Sequence, residues 1–197
     1  MTATPAVQAN PILHHITLKT RRLQEMVDWY KKVVGAHVNF QFAGAAWMTN
    51  DEANHRIAFL TTPALSEDSE KLKHVGLHHT AWEYPGINDL VANYERLAKE
   101  GILPHICLDH GLTMSFYYVD PDGNSVELQS DNFGDWAKST LYMQTSTEFQ
   151  REPIGVEVDP AKLSVALKSG SPVSTILERS RKGEFLPETL GDIRLPV

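Results

Sequence analysis

His15, His79 and Glu127 are residue types that can hold a metal ion, and they fall at matching places in a duplicated pattern. Each histidine opens a short alternating run, HITLKT and HTAWEY, and the glutamate lies in VEL just after the turn DPDGN. Two imidazoles and one carboxylate on adjacent strand ends can form the facial triad of non-haem Fe(II), which keeps coordination positions open. An organic substrate and O2 can then bind side by side, the chemistry of a mononuclear iron dioxygenase. Alternate side chains of a strand share a face, which groups His15 with Thr17 and Lys19, His79 with Ala81 and Glu83, and Glu127 with Ser125 and Gln129. An acid between Val126 and Leu128 is costly on an inward face unless something pairs with it. Taken singly, a strand histidine or glutamate is more often packed or solvated than a ligand. The shared placement of the three carries the argument. His14 and His78 are alternative ligands, although the apolar alternation that follows is in phase with His15 and His79.

The elements that must position these groups also occur twice. After His15, Leu23, Met26, Val27, Tyr30 and Val34 recur at helical spacing until Gly35; after His79, Ile87, Leu90, Val91, Tyr94 and Ala98 do the same until Gly101. Strand-like runs follow, HVNFQFA, AAWMT and HRIAFLTT in the first copy and PHICLD, MSFYYVD and SVELQS in the second. Each copy thus reads strand–helix–strand–strand–strand. The expected fold is α+β, two βαβββ modules forming a cupped, mostly antiparallel eight-stranded sheet around the metal site, with a short helical tail. The expected divisions are a flexible N-terminal arm over 1–11, modules over 12–65 and 74–131, and a tail over 132–197 serving packing or dimer contacts. In that tail DPAKLSVALKSG predicts a helix with Asp159 as N-cap, Pro160 at its first position and Gly170 at its end. PVSTILERSRKG suggests another.

Aligning DEANHRIAFL with DPDGNSVELQ from their shared aspartate sets Ala58 opposite Glu127. Ala58 cannot ligate. The duplication therefore supplies three protein ligands where a four-ligand site would need a carboxylate at 58, which favours an open, redox-capable site over a closed structural one.

At 197 residues and net charge −7, with no long run of Lys or Arg, the chain is not expected to bind nucleic acid or an anionic membrane. Cys107 is the single cysteine, the first residues lack the basic and apolar regions of a signal peptide, and no apolar stretch approaches the ~20 residues that span a bilayer. A cytoplasmic setting is the expectation.

The same residues carry a resemblance. DHGLTMSFYYVDPDGNSVEL, NHRIAFL and PIGVEVDPAKL are similar to segments of the vicinal oxygen chelate superfamily, and within it of type I extradiol dioxygenases of the catechol-2,3-dioxygenase-like kind. The resemblance covers about residues 12–130. It implies that His15, His79 and Glu127 ligate Fe(II), with Mn(II) as the other possible ion. It implies that His55 sits beside the O2 position and passes a proton, that Tyr117 hydrogen-bonds an iron-bound substrate oxygen, and that His110 contacts the other substrate hydroxyl. Read alone, His55 and His110 are turn or surface histidines and Tyr117 an ordinary strand aromatic. His37, His74 and His105 match nothing and read as structural. The implied reaction is ring opening of a catechol-type aromatic diol by O2 to a semialdehyde, in a homo-oligomer (dimer or higher). The rivals are a glyoxalase-like metal-dependent isomerase or lyase, and a nonenzymatic protein that binds an aromatic drug. Trp47, Met48, Trp82, Met114 and Phe116 could line an aromatic pocket, although such residues on strands are more often core.

Overall fold

The computed structural model describes residues 10–196, so positions 1–9 of the expected N-terminal arm lie outside the described residues. The chain divides into two compact units, the first ending at Glu67 and the second beginning at Asp68.

The first unit runs β1 (Ile16–Lys19), α1 (Leu23–Val33), β2 (His37–Phe42), β3 (Ala45–Thr49) and β4 (Ile57–Leu60). Its sheet has the order β1-β4-β3-β2, with β1 and β4 parallel and the other pairs antiparallel. Met26, Val27, Tyr30 and Val33 form one stripe of α1 and are fully buried, as helical periodicity requires of a face laid on a sheet. The ring of Tyr30 meets that of Phe59 on β4 at 5.1 Å.

The second unit repeats the plan with β5 (His79–Tyr84), α2 (Ile87–Ala98), β6 (Ile106–Asp109), β7 (Thr113–Val119) and β8 (Ser125–Asp131). Ile87, Leu90, Val91 and Leu97 are the buried stripe of α2, and Tyr94 on that helix touches Phe116 of β7 at 5.9 Å. The two copies coincide in detail. β1 pairs β4 through Thr17 and Ala58, and β5 pairs β8 through Ala81 and Glu127. Trp47 stands opposite Ala58 as Tyr117 stands opposite Glu127. Both helices are followed by a glycine at φ +74°, Gly35 and Gly101, a left-handed position that glycine adopts without a Cβ clash. Both hairpins preceding the last strand of a copy are pinned by an aspartate: Asp51 accepts from the Ala53 amide at 2.9 Å, and Asp120 from the Asp122 and Asn124 amides at 3.0 and 2.8 Å.

The eight expected strands form, hydrogen-bonded as two sheets of four and five. The fifth strand of the second sheet is β9 (Val156–Glu157), an antiparallel edge on β6. Around it the tail is more helical than expected: α3 (Trp136–Thr145), α4 (Thr147–Arg151), α5 (Pro160–Lys168) and α6 (Val173–Arg181). Asp135 caps α3 through the Ala137 amide at 2.8 Å, and Asp159 caps α5 through the Ala161 amide at the same distance. α5 packs on α2 and α6, where Glu95 receives both Lys168 and Ser164. No helix among the described residues is long and apolar enough to cross a membrane.

Gly155 joins the tail to the sheet. Its φ is +86°, and a Cβ there would lie 2.1 Å from the Asp109 carbonyl oxygen. Gly155→Ala is expected to destabilise the fold by about 2 kcal/mol and lower Tm by roughly 4–8 °C. A thermal melt coincident with the wild type would disprove that close approach.

Candidate functional site

In the second unit the site is a chain of four polar side chains on the sheet face opposite α2. Parallel pairing of β5 with β8 brings His79, the first residue of β5, beside Glu127: Nε2 lies 3.1 Å from Oε2. Cross-strand pairing of β7 with β8 sets Tyr117 against the same carboxylate, and its hydroxyl donates to Oε1 at 3.0 Å. His110, in the tight turn between β6 and β7, places Nε2 3.0 Å from the Tyr117 oxygen. With the phenol proton given to Glu127, Tyr117 accepts and the His110 Nε2 must carry hydrogen.

The electrostatics follow from this crowding. Burial alone would raise the Glu127 carboxyl, but hydrogen bonding from His79 leads the opposing effects and holds it below its usual range. Glu127 is only 5% exposed, and the partners met by both of its oxygens favour its charged form in the interior of the unit. Burial pushes the Tyr117 hydroxyl well up, and the Glu127 charge pushes it further. Burial pushes His110 down, with Glu127 opposing. The phenol therefore stays protonated and the carboxylate charged.

The first unit contributes a different cluster. His14, His15 and His55 each offer a ring nitrogen, all within 4.8 Å of one another. His55 lies closer to His15, with ring centroids 4.2 Å apart, than to His14 at 5.3 Å. His15 precedes the first residue of β1, and the backbone there is tied to β4 by Ile16 N–H donating to the Arg56 carbonyl at 3.1 Å. Arg56 in turn donates to the His14 carbonyl at 3.1 Å and to Asp51 at 2.9 Å. Burial lowers the His55 pKa, and the neighbouring His15 and His14 lower it further. Copy one holds nothing at Ala58 that could ligate.

Of the alternative histidines, His78 contacts His79 Nδ1 at 2.8 Å and the Ile193 carbonyl at 3.2 Å, whereas His79 reaches Glu127. His74 pairs with Asp68 at 2.7 Å, away from the network. Met48, Met114 and Phe116 are fully buried core, and Trp82 is half-buried beside Leu128. Trp47 lies on the other face, stacked with Phe42 at 6.1 Å. What sequence reasoning missed is a cavity of about 200 Å³ adjoining His79 and Tyr117, walled by Ile106, Leu108, Ile154 and Ile193. Two of those walls come from the tail, whose composition carried no sign of it. His105, read as structural, braces that tail.

The family model described as the Glyoxalase/Bleomycin resistance protein/Dioxygenase superfamily matches residues 12–128. Biphenyl-2,3-diol 1,2-dioxygenase 2 of Rhodococcus globerulus is 40% identical over 180 residues, covering 91% of this chain and 94% of its own. Biphenyl-2,3-diol 1,2-dioxygenase 3 of the same organism is 40% identical over 170 residues, covering 86% and 89%. Among solved structures, a glyoxylase/bleomycin resistance protein/dioxygenase domain from Frankia sp. EAN1pec superposes with a TM-score of 0.55 at 19% identity, over 62% of this chain and 93% of that one. A glyoxalase/dioxygenase from Nostoc punctiforme gives 0.53 at 18%, over 66% and 99%. At those identities the structures speak to the fold.

Proposed function

The chain belongs to the glyoxalase/bleomycin resistance protein/dioxygenase superfamily, and from that membership we propose that it is an extradiol ring-cleaving dioxygenase. It inserts both atoms of O2 into a catechol-type aromatic diol, with biphenyl-2,3-diol the leading candidate, and releases a ring-opened semialdehyde. One observation carries the reading: a buried Glu127 flanked by imidazole and phenol, at the address where the first copy has alanine. A glyoxalase-like isomerase with four protein ligands would need a donor at position 58.

The metal ligands proposed are His15, His79 and Glu127, and the ion Fe(II), with Mn(II) compatible with the same donors. The donor chemistry fits: one carboxylate held in its charged form, and imidazoles that ligate when neutral. When bound, such an ion lowers the pKa of a coordinated hydroxyl and exchanges electrons with O2. The rest falls to the protein. Tyr117, kept protonated, would turn the O–H it now gives to Glu127 toward a diol oxygen once that carboxylate holds the ion, and so orient the ring. His110, whose Nε2–H meets the Tyr117 oxygen in this structure, would give that hydrogen to the other substrate hydroxyl. His55, neutral at working pH, moves a proton to and from the reacting oxygens. Ile106, Leu108 and the tail exclude water from the aromatic ring.

Tyr117→Phe is expected to keep stoichiometric iron and lose about 10²-fold in kcat, the scale of one preorganised donor removed from a reacting oxygen. Steady-state kinetics with iron quantitation checks this, and unchanged kcat would free Tyr117 of the role. The reading as a whole is tested by loading the protein with Fe(II) without air, then admitting O2 and biphenyl-2,3-diol. A yellow ring-opened product supports it, and a colourless reaction with full iron overturns it.

A homo-oligomer fits the exposed Trp136, Leu141 and Met143 on α3, which light scattering would measure directly. A buried, unpaired Cys107 fits a reducing cytoplasm.

A further inference from the structure

We infer that the C-terminal strap, residues 190–196, is a specificity wall of the diol site, with Ile193 and Leu195 seating an apolar, ring-sized substituent of the substrate. The inference rests on the ring-cleaving reading and adds to it the part of the diol that is not cleaved.

The strap has no strand or helix of its own, yet it is fastened along its length. Gly191 N–H donates to Glu157 at 2.8 Å, His105 Nδ1 donates to the Asp192 carbonyl at 2.6 Å, and His78 Nε2 meets the Ile193 carbonyl at 3.2 Å. Arg194 then donates to the Gly123 carbonyl at 3.0 Å, at the DPDGN turn. Arg194 is also the one non-glycine residue with positive φ (59°) among the described residues, a conformation that persists when its surroundings over-determine it. These ties press Ile193 onto Ile106, Leu108 and Tyr117. Tyr117 thus serves two neighbours: its hydroxyl meets Glu127, and its ring lines the cavity with the strap.

The cavity fits one kind of guest. Its volume, about 200 Å³, exceeds that of the ~150 Å³ apolar cavity known to stay dry and bind benzene. No Lys, Arg, Asp or Glu lines it, and the polar groups that do are already engaged: His78 meets His79 and the Ile193 carbonyl, and His79 meets Glu127, so a carboxylate or ammonium substituent would lack a partner there. Both ring nitrogens of His105 are engaged, one by Asp192 and one by the Ser125 hydroxyl at 3.0 Å. An aryl or branched alkyl group matches; a charged one is rejected.

The test is the ratio of kcat/KM for biphenyl-2,3-diol over catechol in the iron-loaded protein. Ile193→Ala opens the wall and Ile193→Trp fills the cavity, and each is expected to lower that ratio about 10–100-fold. Melting curves verify that both variants fold. A ratio within about threefold of wild type in both overturns the wall, threefold lying below what one methylene contributes in a close-fitting apolar pocket. Equilibrium binding of the two diols without O2, followed by tryptophan fluorescence, reads the same ratio without chemistry. A protein that binds biphenyl-2,3-diol in a strap-dependent way but opens neither ring would defeat the proposed reaction and support the wall. Turnover of both diols with no dependence on Ile193 would do the reverse.

Discussion

Glu127→Ala is expected to strip the protein of iron and of ring-cleaving activity together. The carboxylate is the one acidic member of the proposed ligand set, and it is buried at 5% exposure between His79 and Tyr117. Its loss removes the negative charge that balances a divalent cation, and two imidazoles remain. Affinity should fall by more than the ~10–100-fold seen when partners behind a ligand are removed. The same change leaves His79 and the Tyr117 hydroxyl without their acceptor, so a modest fall in Tm is expected alongside. Glu127→Gln separates the effects, since it keeps the size of the side chain and one acceptor while removing the charge. Iron quantitation on desalted protein is the decisive measurement. One iron per chain in either variant would take Glu127 out of the site, whatever the activity.

The second large effect is expected at His55. Its ring lies 4.2 Å from that of His15, tilted by 47°, and burial with the neighbouring imidazoles lowers its pKa, which favours the neutral form that can take up a proton in turnover and return it. His55→Ala should cut kcat by about 10²–10⁴, the range of a positioned general acid–base group, with iron retained. Joint loss of iron would assign His55 to the metal instead. Because His14, His15 and His55 all lie within 4.8 Å of one another, the experiment needs His14→Ala as its companion. That variant is expected to keep most activity, and a loss as deep as that of His55→Ala would move the proton role, or the ligand role, to His14.

Much of this was legible because it depends on periodicity. The stripes of α1 and α2, the alternation of the strands and the paired glycines are repeated signals, and a duplicated signal is hard to misread. The correspondence of Ala58 with Glu127 came from aligning two turns, and the strand register places them at equivalent addresses. Other features left no such trace. α3 exposes Trp136, Leu141 and Met143 and buries little beyond Ser139, so it has no apolar stripe to find. β9 is two residues long and exists because β6 offers an edge, a tertiary cause invisible to local propensity. The strap is held chiefly through main-chain carbonyls of Asp192, Ile193 and Gly123, which side-chain patterns cannot report. His110 was assigned from resemblance alone, and its contact with Tyr117 depends on the turn at Gly111, where Asp109 accepts the glycine amide at 2.9 Å.

The alanine at 58 has a consequence for how such proteins diversify. Thr17, Ala58 and Trp47 occupy in one half the backbone stations that Ala81, Glu127 and Tyr117 occupy in the other. A scaffold doubled in this way offers two equivalent backbone stations, of which one carries a carboxylate and the other a bare methyl. The two halves can thus differ in what they bind through a single branch at one Cβ, with the strand register of both kept the same.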